Sequence, residues 1–133
     1  MPDSPQGSET ILLVEDNATL RDMAAALLRR LGYNVIAPAN WSSLLNYGEP
    51  ANMGPIDLVF SDVSLGHETV GELAVRVKKS YPCSRLLFTT ASKETPKEEN
   101  AEIIKEVAFL QKPFKPSELA KMIRFVLDSP PTL

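Results

Sequence analysis

Five short apolar runs punctuate the chain, at Ile11–Val14, Val35–Ala37, Ile56–Phe60, Leu86–Phe88 and Val107–Leu110. They are near-continuous rather than alternating, the pattern of strands buried on both faces of a parallel sheet. Helical spacing fills the intervals. Leu20, Met23, Ala24, Leu27, Leu28 and Leu31 recur at i, i+3, i+4 and i+7, and Gly32 follows where a helix C-terminus favours glycine. Trp41, Leu44 and Leu45 predict a shorter helix ending near Gly48, and Val70, Leu73, Ala74 and Val77 a third, stopped by Pro82. Residues 93–106 are dense in Lys and Glu and offer only Ala101, Ile103 and Ile104 for burial, which predicts a weak helix there. Leu119, Met122, Ile123 and Val126 predict the last, with Pro116 in its first turn. Five β/α units of this length predict an α/β, doubly wound, five-stranded parallel sheet. In such sheets ligands bind beyond the carboxyl ends of the strands, where the strand order reverses.

Composition narrows the chemistry. The 133 residues suffice for one domain, and 44% apolar residues allow a real core. Residues 1–9 and 129–133 are Pro/Ser-rich and read as tails around a domain at 10–128. No apolar run approaches the roughly 20 residues that span a bilayer, and the first eight residues lack the features of a signal peptide. A cytoplasmic, membrane-free location is the expectation. One cysteine, Cys83, excludes an internal disulfide, and one histidine, His67, excludes a multi-histidine metal centre. A net charge of −3 gives no bulk attraction for nucleic acid.

The expected strand ends carry one constellation. The first closes on Glu15-Asp16, the third on Ser61-Asp62, the fourth on Thr89-Thr90 and the fifth on Gln111-Lys112-Pro113. Carboxylates are the ligands that hard, octahedral Mg²⁺ prefers. A carboxylate can also be the nucleophile that forms an acyl phosphate. In-line phosphoryl transfer needs cations and donors around the transferred oxygens, and a lysine and a hydroxyl supply them. Each residue also has a plainer reading. Acids before a helix cap its amides, Asp62 can be a turn residue, the threonines ordinary strand residues, and Phe109 core. His67 reads as a solvent-facing loop residue and Cys83 as an inert thiol. Trp41 reads as packing, and the charged run at 93–106 as a solvated face.

The segments ILLVEDN (11–17), DLVFSDVSL (57–65), LLFTTA (86–91) and FLQKPF (109–114) together resemble a receiver domain of two-component response regulators, a flavodoxin-like (βα)5 fold, across about residues 10–128. The resemblance implies that Asp62 is the phosphoacceptor, modified to an aspartyl phosphate. Asp16 and Glu15 would hold Mg²⁺ together with Asp62 and the backbone carbonyl of Ser64. Lys112 would pair with Asp62 and then with the phosphoryl group, ahead of a cis peptide to Pro113. Thr90, followed by Ala91, would bond a phosphoryl oxygen in preference to Thr89, and Phe109 stands at the aromatic switch position. Leu65-Gly66 replaces the family's usual Met-Pro, and the stretch from Gly66 to Gly71 is one residue longer than in common receivers. That loop, with LLFTTAS and AFLQKPF, is similar to receivers attached to hybrid sensor histidine kinases.

The implied partner is a histidine kinase or a histidine phosphotransfer protein, with no direct nucleic-acid binding and a weak homodimer through the 93–127 face. The protein would be a phosphoacceptor that catalyses its own modification and slow dephosphorylation, not a turnover enzyme. Two other readings stand beside it. An aspartate-nucleophile phosphatase would place another acid at position 64, where Ser64 stands. A degenerate receiver would serve only for docking.

Overall fold

The computed structural model describes residues 7–38, 56–62, 70–81, 84–90 and 107–129. They comprise strands β1 (Thr10–Val14), β2 (Asn34–Ile36), β3 (Leu58–Asp62), β4 (Arg85–Thr90) and β5 (Val107–Gln111). The helices among them are α1 (Ala18–Arg30), α2 (Val70–Ser80) and α3 (Pro116–Asp128). Every strand pair is parallel, in the order β2-β1-β3-β4-β5. The expected helices around Trp41 and over 93–106 lie outside the described residues, as do Ser64, His67 and Cys83.

Strand alternation sorts the core onto two faces. Ile11, Leu13, Leu58, Phe60, Leu87 and Leu110 pack under α1 and α3, against Leu28, Leu119 and Ile123. Leu12, Val14, Val59, Leu86 and Phe88 pack on the other face against Ala74 and Val77 of α2. The central strands β1, β3 and β4 are therefore buried on both sides, which explains their near-continuous apolar runs. The edge strand β2 is exposed or half-buried throughout.

Local chemistry sets the element ends. Asn17, not the preceding acids, caps α1: its Oδ1 accepts a hydrogen bond from the Leu20 amide at 3.0 Å. Helix α1 closes as a Schellman turn, with the Gly32 amide donating to Arg29 O (3.0 Å) and the Tyr33 amide to Leu28 O (3.1 Å). Gly32 takes φ +102° there, and a Cβ on it would collide with Gly7 O. Pro116 starts α3 in its first turn, and Glu118 Oε1 reaches back to the Lys115 amide at 2.8 Å. Strand β3 runs two residues later than the apolar run at 56–60 suggests, because buried Ser61 and Asp62 continue it.

Both ends of the described chain are held at the amino edge of the sheet. Residues 7–9, expected to belong to the tail, are packed: the Gly7 amide donates to Leu31 O at 3.1 Å. The Arg124 guanidinium on α3 forks onto the Glu9 carboxylate, one bond measuring 3.0 Å, and also onto Asp128. Arg85 Nε, at the start of β4, donates to Ser129 O at 3.0 Å.

Candidate functional site

The switch point of the strand order falls between β1 and β3, and the acids gather at its carboxyl end. Glu15 directly follows β1 and is 4% exposed; Asp62 is the last residue of β3 and 6% exposed; Asp16 stands beside them, exposed. One carboxylate oxygen from each of the three lies within 4.8 Å of the others. Lys112, just after β5, brings the cation. Its Nζ donates to Asp62 Oδ2 at 2.7 Å and to Glu15 Oε2 at 3.3 Å. The Lys112–Pro113 peptide is cis, and the Lys112 amide donates to Thr90 O at 2.7 Å. Four residues from three distant stretches of the sequence thus share one crevice.

The electrostatics follow from burial. Desolvation, reinforced by the Asp62 charge, pushes the Glu15 carboxyl above its usual range, while Lys112 and the Asn17 amide pull the other way. Burial also works against the Lys112 ammonium. The hydrogen bond and charge of Asp62, then those of Glu15, outweigh it and hold the lysine above its ordinary value. Lys112 therefore stays charged, and it neutralises only one of two buried carboxylates. Removing one partner of a fully buried pair costs about 3–5 kcal/mol. The cost is smaller here because Lys112 keeps 24% side-chain exposure.

The two threonines divide between the faces. In the ladder Asp62 stands opposite Thr89, and Thr90 opposite Gln111. Thr89 lines a small cavity under α1 with Glu15, Asp62, Phe60 and Phe114. Alternation places Thr90 on the α2 face, with Phe88 and Phe109. Phe109 stands two residues before Thr90's ladder partner and meets Phe88 edge-to-face, with centroids 6.2 Å apart at 79°. Thr90 and Phe109 are thus diagonal neighbours on one face. Ser64 lies outside the described residues.

Two contributors escaped the sequence reading. The Asn17 amide donates to Glu15 Oε1 at 3.2 Å, and Arg21 Nη1 donates to the Glu15 carbonyl at 3.1 Å. Asn17 carried a signal, since an Asn before an apolar-periodic stretch marks a helix start. Arg21 carried none.

The sequence profile of the response regulator receiver domain matches residues 11–124. The chain belongs to that family. The receiver domain is 30% identical over 122 residues to the "Sensor kinase CckA" of Brucella abortus, covering 92% of this chain and 13% of that one. It is 30% identical over 120 residues to the "DNA-binding transcriptional regulator NtrC" of Azospirillum brasilense, covering 90% of this chain and 24% of that one. The receiver domain therefore spans a minor part of both relatives. The solved chemotaxis response regulator CheY4 of Vibrio cholerae superposes on it with a TM-score of 0.73 at 25% identity, covering 90% of this chain and 99% of that one. As a receiver domain the protein belongs to two-component signalling. Receiver domains bind Mg²⁺ through acidic residues, and the acids of this one cluster at Glu15, Asp16 and Asp62. No helix among its described residues is long and apolar enough to cross a membrane.

Proposed function

We propose that this receiver domain takes a phosphoryl group onto Asp62 from a phosphohistidine of a histidine kinase or a histidine phosphotransfer protein, in the cytoplasm and in a Mg²⁺-dependent step. The observation that carries the reading is Lys112 Nζ at 2.7 Å from Asp62 Oδ2, inside a cluster of three acids. An Asp62 carboxylate oxygen attacks phosphorus in line, the P–N bond breaks, and the departing imidazole nitrogen takes a proton from water. Hydrolysis later returns the carboxylate and inorganic phosphate.

The residues at the crevice divide the labour. Lys112 steadies the Asp62 carboxylate before the reaction and follows the negative charge onto the phosphoryl oxygens after it. The Thr90 hydroxyl donates to one of those oxygens. Glu15, Asp16 and Asp62, with the carbonyl of Ser64, are the set that would hold the metal. The fit is chemical: three hard oxygen donors converge, and the Glu15 carboxyl, pushed up first by burial and then by the Asp62 charge, gains from a divalent cation. Mg²⁺, when bound, screens the repulsion between the carboxylate and the incoming phosphoryl group. Thr90 and Phe109, sharing one face, form the route by which the modified state reaches the surface. The loop sequence after Asp62 favours a receiver of the hybrid-kinase kind, which contacts protein partners rather than nucleic acid; the likeness to a sensor kinase and to a DNA-binding regulator is equal, at 30% identity each.

The test is direct. Acetyl phosphate with Mg²⁺ should label the protein, and borohydride reduction with peptide mapping should place the label at Asp62. Label that persists in Asp62→Asn would sink the assignment.

A further inference from the structure

Under α1, directly behind the acid cluster, lies a cavity of about 10 Å³, lined by Leu13, Glu15, Phe60, Asp62, Thr89 and Phe114 among others. That is room for one water. Thr89 is 3% exposed, and its hydroxyl makes no hydrogen bond among the described residues. A buried hydroxyl without a partner costs about 1–3 kcal/mol. Such groups are rare in folded proteins unless a water satisfies them. The walls supply what a water needs: Thr89 offers an O–H to donate, and Glu15 and Asp62 offer carboxylate oxygens to accept. A wholly apolar cavity of this size would stay dry; this one joins a hydroxyl to two acids.

We propose that Thr89 is a positioning residue for Asp62, acting through one buried water that accepts from the Thr89 hydroxyl and donates to the Asp62 and Glu15 carboxylates. The ladder already fixes the geometry, because Thr89 stands opposite Asp62 on β4. Lys112 holds Asp62 Oδ2 from the open side of the crevice. The water holds the same carboxylate from behind and limits its rotation about χ2. The consequence for phosphoryl transfer rests on Asp62 being the phosphoacceptor; the water and its hold on the carboxylate do not.

The test compares wild type with Thr89→Val, which keeps the shape and removes the hydroxyl, and with Thr89→Ser, which restores it. A long-lived water should give nuclear Overhauser contacts to the residue-89 methyl in wild type and vanish in Thr89→Val. The Asp62 carboxyl carbon shift should move in Thr89→Val and return in Thr89→Ser. The urea midpoint should fall in Thr89→Val. Labelling by acetyl phosphate should slow about tenfold, the scale seen when an outer-shell partner is lost, while Mg²⁺ affinity holds and Thr89→Ser recovers the rate. A midpoint that rises in Thr89→Val would mean a dry cavity and an orphan hydroxyl, and would overturn the proposal. So would a missing water signal, an unmoved Asp62 shift, or an unchanged labelling rate. Should wild type take no label at all, the phosphoacceptor reading falls, and the water signal and the Asp62 shift still decide the role of Thr89.

Discussion

Replacing Glu9 by Gln removes the charge that ties the entry to β1 to the last helix, and the loss should depend on pH in a calculable way. The hydrogen bond from Arg124, with smaller help from local amides, lowers the Glu9 carboxyl from 4.5 to about 2. At about 1.4 kcal/mol per pH unit the full displacement corresponds to about 3 kcal/mol. That figure is a ceiling, because Glu9 keeps 28% side-chain exposure and Arg124 21%, and water screens the pair. A forked, half-buried pair of this kind supports about 1–2 kcal/mol. Arg124 is shared with Asp128, so its own raised proton affinity is not a second contribution. The sign follows from linkage. A carboxyl lowered on folding stabilises the protein fully above its unfolded value near 4.5, and the stabilisation fades as pH falls toward 2. Urea midpoints at pH 7 should therefore separate wild type from Glu9→Gln by about 1–2 kcal/mol, and roughly half of that gap should be gone by about pH 3.5. A gap of constant size across that pH range would refute the electrostatic origin and assign the loss to packing.

Other outcomes follow from the crevice and from the turn after α1. Mg²⁺ titration should raise the melting temperature by the linkage expected of a ligand that binds only the folded state, and Asp16→Ala should remove that gain; an unchanged melting temperature in wild type counts against the metal site. In a beryllofluoride–Mg²⁺ complex, where beryllofluoride stands in for the phosphoryl group on Asp62, amide shifts should spread beyond Thr90 along residues 93–112. Thr90→Ala should shrink them, and shifts confined to the loops after Asp16 and Asp62 would contradict the Thr90–Phe109 route. Gly32→Ala should cost about 2–3 kcal/mol in urea unfolding, since φ +102° is strained for any side chain and the new Cβ runs into Gly7 O. A loss under about 0.5 kcal/mol, the level of an ordinary surface change, would mean that the turn rearranges freely.

The parallel sheet is legible in the sequence because its central strands are apolar on both faces, and an aperiodic apolar run as short as Ile11–Val14 suits a doubly buried strand. The site is legible because its residues violate that rule. Glu15 and Asp62 are buried acids at strand ends, and only the receiver resemblance gives them a common purpose. The same violation displaces β3: its apolar run stops where polarity begins, yet Ser61 and Asp62 stay in the ladder. Glu9 and Arg124 give no such signal. Glu9 and Arg124 are 115 positions apart, and each looks like an ordinary surface residue until the fold brings them together. The division of Thr89 from Thr90 is equally hidden, because two adjacent hydroxyls point to opposite faces and only register says which one meets Asp62.

The anchoring of Gly7 and Ser129 at the amino edge of the sheet has a mechanical meaning. Strands of five residues are about 17 Å long, and the acid crevice opens at their far end. Anything fastened to either side of the described chain pulls on Leu31 O or on Arg85, not on Asp62. The anchor points at Gly7 and Ser129 lie at the opposite end of the strands from the crevice. A load applied at Gly7 or Ser129 is therefore borne by the floor of the sheet, at the far end of the strands from the acids.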